Sequence, residues 1–339
     1  MDYNWRMNIK MSKKYVTCSL YKFFTLSNYE SLRVSILDEM KSRKLLGTIL
    51  LAEEGINGTI SGTESAVDGF IEFLSALMGC VDIDIKKSFY NEVPFYRAKV
   101  KLKREIVSMG VEGIDPNETT GTRVDPDQWN NLINDPEVLV IDIRNNYEIG
   151  IGTFKEAVNP NTKSFRDFPK WANDNLNPKT HKKIAMFCTG GIRCEKSTAY
   201  AQRLGFKQVF QLKGGILNYL KTVPEHESLW SGECFVFDNR VAVNHDLEKG
   251  SYDQCHACRM PVTSADKMLS SFVKGQSCKH CYGTHDERRQ QRFSERQRQV
   301  VLAKSRGEDH IGSGAYEATE RRRAEKKTRH DRSRAIVGG

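Results

Sequence analysis

No stretch of the 339-residue sequence approaches the run of about 20 apolar residues that a membrane-spanning helix requires. The opening residues Met1-Asp2-Tyr3-Asn4-Trp5-Arg6 lack the apolar segment of a secretory signal. A cytoplasmic protein with no membrane partner is expected. A flavin, haem or dinucleotide-binding signature is also missing, so no cofactor of those classes is expected. Nor is there an even number of cysteines. Nine cysteines, several clustered as Cys-x2-Cys pairs, make a poor disulfide framework, and reduced thiols, catalytic or metal-bound, are the expectation.

What is present fits two or three domains of roughly 100–150 residues each. The formal charge is +9, and most of the excess lies at one end: from Asp286 to Gly339 there are 15 Lys/Arg against nine Asp/Glu.

Tyr15 to Lys22 alternates as a strand, and Leu32, Ile36, Leu37 and Met40 recur at helical spacing over 28–43. An apolar run from Leu45 to Leu51 follows, then Gly-Ile-Asn-Gly leading into Thr59-Ile60. Next come a helical stretch through Ala66, Phe70, Phe73, Leu74 and Leu77, and alternating runs at Val81–Ile85 and Tyr96–Leu102. The order β-α-β-β-α-β predicts a ferredoxin-like, acylphosphatase-like α+β domain over residues 12–110. A turn-rich segment with Gly110, Gly113, Pro116, Gly121 and Pro126 reads as a linker, with a boundary near 120. From there strands (Val138–Asp142, Ile184–Phe187, Val209–Leu212) alternate with helix (Glu195–Leu204), which predicts an α/β domain with a parallel sheet over 120–225. Residues 226–285 form a Cys-rich module, beginning with two short strands around Asp238-Asn239. Residues 286–339 read as a basic tail of flexible helix or disorder. The chain as a whole is expected to be α/β.

Cys188 directly follows a buried-strand run, and Arg193-Cys194-Glu195-Lys196-Ser197 opens a helix. The thiol therefore sits at the carboxyl edge of a sheet, where open α/β sheets bind ligands. Gly190 and Gly191 let backbone N–H groups turn inward and, with the helix N-terminus, stabilise a thiolate. The backbone of Thr189, Gly190, Gly191 and Ile192 is then the candidate substrate cradle. Arg193 either holds the loop in shape or faces an anionic group.

Asp142-Ile143-Arg144, Glu148, Gly152 to Pro160, the Cys188 loop and Leu212-Lys213-Gly214-Gly215-Ile216 resemble a rhodanese domain in the correct order. In that superfamily a six-residue Cys-x4-Arg loop resembles the sulfurtransferase form, whereas related dual-specificity phosphatases carry a longer loop that surrounds phosphate. The fuller pattern Cys188 to Lys196, with Ala52 to Gly62, Val93-Pro94-Phe95 and Lys99-Val100-Lys101, resembles the bacterial tRNA uridine hydroxylase family, which has a central rhodanese domain. The resemblance covers about residues 15–285. It implies oxygen-dependent conversion of wobble uridine in the tRNA anticodon loop to 5-hydroxyuridine, with molecular oxygen as co-substrate, a reductant of unknown identity, Cys188 as the reactive cysteine and Arg193 as the loop-closing cation. Thr189 stands where common sulfurtransferases often have Arg, which weakens simple thiosulfate chemistry.

Uracil C5 becomes nucleophilic only after addition at C6, so Cys188 acts either as a thiolate adding at C6 or as a persulfide or sulfenate with Cys194 as resolving thiol. Two other functions stay open: a sulfurtransferase carrying a Cys188 persulfide, and a non-catalytic rhodanese-like module that binds RNA or senses oxidation. Cys255-x2-Cys258 and Cys278-x2-Cys281, nineteen residues apart, have the spacing of a structural zinc site, with His256, His280 and His285 as substitute ligands. The basic tail suits polyanionic RNA. Lys99, Lys101, Lys103 and Arg104 with Phe95 and Tyr96 suit single-stranded RNA or are simply the solvent face of a strand, and Asn57 reads as a turn residue.

Overall fold

The computed structural model describes residues 14–79 and 82–308, with Gly312, Arg321, Arg323 and Ala324 beyond them. The start Met1–Arg6 lies outside the described residues, as does most of the charged run 320–327. The chain divides into two compact units, one reaching Phe235 and taking in Val243–Lys249, the other comprising Val236–Ala242 and the chain from Gly250 onward. Among the described residues no helix is long and apolar enough to cross a membrane.

The first unit opens with β1 (Tyr15–Phe23), α1 (Tyr29–Ser42), β2 (Leu46–Ala52), β3 (Gly55–Gly62), α2 (Glu64–Leu77), β4 (Asp84–Tyr90) and β5 (Ala98–Leu102). Thr63 caps α2 by accepting a hydrogen bond from the Ala66 amide. The sheet order is β4-β1-β3-β2-β5, with β5 parallel to β2 and the other pairings antiparallel. This is the ferredoxin-like, acylphosphatase-like sandwich with a fifth strand at one edge. Ile36, Met40, Ile49, Leu51, Ile56, Ile60, Val67, Phe70 and Leu74 form its core on the helix side. Asn57 lies within β3 and is no turn residue: it faces Tyr21 and Leu50 across the sheet, and its side-chain amide donates to the Ile106 carbonyl.

The same unit continues with β6 (Thr122–Val124), α3 (Pro126–Ile133), β7 (Val138–Asp142), α4 (Asn146–Ile149), β8 (Gly152–Phe154), α5 (Phe168–Asn175), β9 (Lys183–Phe187), α6 (Ile192–Arg203), β10 (Gln208–Leu212) and α7 (Gly215–Thr222). Strands β6-β10-β9-β7 form a parallel sheet, the central rhodanese fold. Pro126 at the first turn of α3 supplies a preset φ where no N–H is needed. Phe154 packs edge-on against Phe187, Tyr219 and Trp230, closing one side of the sheet.

In the second unit Asp253–Gln254 and Pro261–Val262 pair as a short hairpin. The helix α8 (Glu287–Ser305) begins at Asp286, whose carboxylate accepts from the Arg289 amide. Arg296 and Arg289 flank the Phe293 ring, and Arg296 donates to the carbonyls of His256 and Gly275. The first stretch of the basic tail is thus an ordered helix, tied down by the backbone acceptors of the Cys-rich segment.

Candidate active site

Cys188 leaves β9 at its carboxyl end and is 1% exposed. The loop turns at Gly191, whose φ of +98° falls in a region that glycine adopts without cost. That turn starts α6 at Ile192, one residue before the Arg193 at which the sequence opens a helix, and puts Arg193 and Cys194 in its first turn. The Gly191 amide donates to the Cys188 sulfur at 3.2 Å. From behind, the N-terminus of α7 grips the loop: the amides of Ile216 and Leu217 donate to the carbonyls of Cys188 and Thr189 at 2.9 and 3.1 Å. Gly215 makes this approach possible, since a β-carbon there would sit 2.5 Å from the Cys188 carbonyl oxygen.

Burial pushes the Cys188 thiol up. Hydrogen bonding from the Cys194 side chain, the Arg193 charge and the amides of Cys194 and Gly191 outweigh it and bring the group down from 9.0 to about 6. Cys188 is therefore largely thiolate at neutral pH, which is the nucleophilic form. Cys194 moves the other way, because burial and the neighbouring sulfur both disfavour a second thiolate. It keeps its proton and reaches the Met186 carbonyl at 3.7 Å.

Arg193 closes the loop through a carboxylate to which the sequence pattern gives no role. Its guanidinium makes two bonds to Glu148, at 2.7 and 2.8 Å, and a third to the Thr189 hydroxyl at 3.2 Å. Glu148 is buried on α4, where a capping box with Asn145 fixes it. Burial alone would raise Glu148; Arg193 overrides that and holds it low, and Arg193 is raised in return. Asp142 and Arg144 pair with each other and are wholly buried, and the Thr153 hydroxyl donates to Asp142. Their role is to pin the strand end beside the loop.

The N-terminal sandwich meets this loop directly. A β-carbon at Gly191 would approach the Tyr21 hydroxyl to 3.0 Å, and that hydroxyl donates to Glu195 at 3.3 Å. Glu195 also accepts from Thr120, Arg123 and Gln211. Lys196, 3% exposed, lies 2.7 Å from both Glu54 and Glu105. Burial raises Glu54; Glu105 is half-buried, but the Lys196 hydrogen bond and the amides of Met109 and Gly110 keep it low. The Glu-Lys pair after Cys194 is thus the contact between the two folds. No periodicity signals such a role, although both residues stand inside the Cys188–Lys196 pattern.

In the second unit the sulfurs of Cys255, Cys258, Cys278 and Cys281 all lie within 4.8 Å of one another. Cys258 and Cys278 are 3.6 Å apart, and Cys281 is 3.9 Å from both Cys255 and Cys278. Tetrahedral zinc with bonds of about 2.3 Å requires sulfurs about 3.8 Å apart, so the donor set fits. Among the described residues the cluster consists of these four cysteines, without His256, His280 or His285. Lys99, Lys101, Lys103 and Arg104 are exposed on and beside the edge strand β5, with Tyr96 exposed and Phe95 half-buried.

The family described as the UPF0176 acylphosphatase-like domain matches residues 15–106, and the rhodanese-like domain family matches residues 125–222. Among solved structures, the rhodanese-like domain of the Alr3790 protein from Anabaena sp. is 18% identical, with 33% of this chain and 80% of that one covered and a TM-score of 0.27. An acylphosphatase from Coxiella burnetii is 10% identical, with 27% of this chain and 100% of that one covered and a TM-score of 0.23. An acylphosphatase-like UPF0176 domain followed by a rhodanese-like domain is the architecture of the UPF0176 family, and the chain has that architecture.

Proposed function

We propose that the protein is a tRNA-modifying oxidoreductase that hydroxylates the wobble uridine to 5-hydroxyuridine, with Cys188 as the reactive thiol. The observation that carries this reading is a buried cysteine whose sulfur accepts from the Gly191 amide, in a six-residue loop against which the N-terminal domain is locked through Tyr21, Glu54 and Glu105. The Cys188 thiolate adds to C6 of uracil and makes C5 an enolate carbon that reacts with molecular oxygen. One oxygen atom stays on C5 and the other leaves as water, so an external two-electron donor and two protons complete the balance. Elimination returns Cys188. Arg193, tied to Glu148 and Thr189, keeps the loop in shape, and the loop backbone from Thr189 to Ile192 lines the site.

Mass spectrometry of tRNA nucleosides from a deletion strain carrying the wild-type or the Cys188→Ser protein tests this. Loss of wobble 5-hydroxyuridine on deletion, its return with wild type and its absence with Cys188→Ser are expected. Normal 5-hydroxyuridine in the Cys188→Ser strain would overturn the role of Cys188.

A second reading is sulfur transfer through a Cys188 persulfide, favoured by the rhodanese-like domain and the six-residue loop; a thiosulfate:cyanide assay separates it. For the second unit we propose a structural zinc ion on Cys255, Cys258, Cys278 and Cys281. Four thiolates leave no open coordination position, so its contribution is to the fold.

A further inference from the structure

The N-terminal sheet has one face on its helices and another that the helices do not cover. Strand register arranges the second face in cross-strand rows. One row reads Lys86, Ser19, Thr59, Thr48, Lys99, three hydroxyl side chains bounded by a lysine at either edge. The next reads Asp84, Tyr21, Asn57, Leu50, Lys101 from β4 to β5, and Asp84 pairs with Lys86 of the first row. Five strands at about 4.8 Å spacing make the face roughly 19 Å wide. The hydroxyls of Ser19, Thr59 and Thr48 are only partly buried and Lys99 and Lys101 are exposed, whereas Thr17, Tyr21 and Ser61 on the same face are buried.

The β5 side of this face is charged with one sign. From Arg97 to Arg104 the chain carries five cations and no acid, and among the described residues Lys99, Lys101 and Lys103 are in no ion pair. At the other end Tyr21 brings the same face to the Cys188 loop, with its hydroxyl against Gly191 and Glu195. A polar floor, a cationic border and continuity with the thiol suit a flexible polyanion with bases to present. Single-stranded RNA is read by edge and 2′-hydroxyl contacts that hydroxyl and amide side chains supply, while lysines take the phosphates.

We propose that the partly exposed Ser19–Thr59–Thr48–Lys99 row of this face and its β5 border are the track on which a single-stranded RNA loop lies, its backbone along Lys99 and Lys101 and its reactive base reaching Cys188 past Tyr21. The inference rests on RNA being the substrate. Edge lysines also deter strand-to-strand aggregation, and the choice of substitution separates the two roles: Glu at these positions keeps the edge charged but repels phosphate.

The test is fluorescence anisotropy of a labelled anticodon stem-loop RNA across a salt series. It uses full-length wild type, the double variant Lys99→Glu/Lys101→Glu, and a control Lys155→Glu/Lys170→Glu that reverses two lysines well exposed on the other domain. The track requires at least tenfold weaker binding for the β5 variant, with a salt slope lower by about 0.7 for each phosphate that a lysine no longer neutralises, and near wild-type binding for the control. Equal weakening by both doubles, or no weakening by the β5 double, overturns the track while leaving RNA as substrate. Failure of wild type to bind the RNA at any salt overturns the RNA reading itself, and the track with it.

Discussion

Lys196 places its ammonium 2.7 Å from the carboxylate of Glu54, joining the first turns of α6 to the bend between β2 and β3. The same ammonium meets Glu105, so one cation in the rhodanese fold holds two carboxylates brought by the preceding domain and its outgoing chain. Replacing it with Met leaves both acids facing each other without the cation they share. Lys196→Met should lower unfolding free energy by about 3 kcal/mol, the lower part of the range for breaking a buried pair, because both carboxylates keep some solvent contact. Urea denaturation measures this. A cycle with Glu54→Gln should show a coupling of about 1–3 kcal/mol, and additive effects would mean the pair does not join the domains.

The depressed Cys188 pKa fixes a sign for pH dependence. A thiol that ionises at about 6 when folded and at 9.0 otherwise contributes stability fully present above the higher value and lost as pH falls through the lower one. The stability difference between wild type and Cys188→Ser should shrink accordingly on acidification. Thiolate absorbance, taken as the wild type minus Cys188→Ser difference, should titrate with a midpoint near 6. Cys194→Ala removes a hydrogen-bond donor to the thiolate and should move that midpoint up, whereas Cys194→Ser restores a donor and should bring it back.

Glu148 and Arg193 form a bidentate pair out of water. Glu148→Gln leaves the guanidinium without its counter-charge, a change expected to destabilise by about 3–5 kcal/mol. Arg193→Lys cannot reproduce the planar fork, so the two bonds to Glu148 reduce to one and activity should fall at least tenfold. Thermal unfolding and nucleoside analysis read the two effects separately.

Gly215 lies so close to the Cys188 carbonyl that a methyl group there must displace backbone, and its φ of +67° adds strain for any other residue. Gly215→Ala should therefore cost activity more than tenfold with a smaller loss of stability. Gly190 has open space around its missing side chain, and Gly190→Ala should be far milder. Equal effects at the two positions would show that the grip of α7 does not shape the loop.

The cysteine cluster should release one equivalent of zinc per chain, measured by elemental analysis of reduced protein. Chelation, or Cys278→Ser, should loosen α8, because Arg296 bonds to carbonyls that flank the knuckles. Hydrogen exchange along 287–305 would register this. Reduced protein purified without zinc would remove the site from consideration.

Local information was legible in the chain itself. Alternation and apolar runs placed β1, β7, β9 and β10, the glycines marked the Cys188 turn, and the paired Cys-x2-Cys spacing marked the cluster. The fifth strand was foreseen as a segment, but not its parallel pairing with β2, since an edge pairing leaves no periodicity of its own. The tail showed helical spacing at Phe293–Lys304; what tied it down was Arg296 meeting backbone carbonyls, which composition does not reveal.

The sequence by itself determined where the thiol is and what loop surrounds it, because a strand, a glycine turn and a helix start are written within ten neighbouring residues. Tertiary structure alone decided what holds that thiol ready. Arg193 finds Glu148 across 45 residues and Glu195 finds Tyr21 across 174, and Lys196 binds the carboxylates of Glu54 and Glu105. Buried charges must be matched wherever the chain brings them together, and that meeting is set by how two folded surfaces pack, which no local pattern encodes.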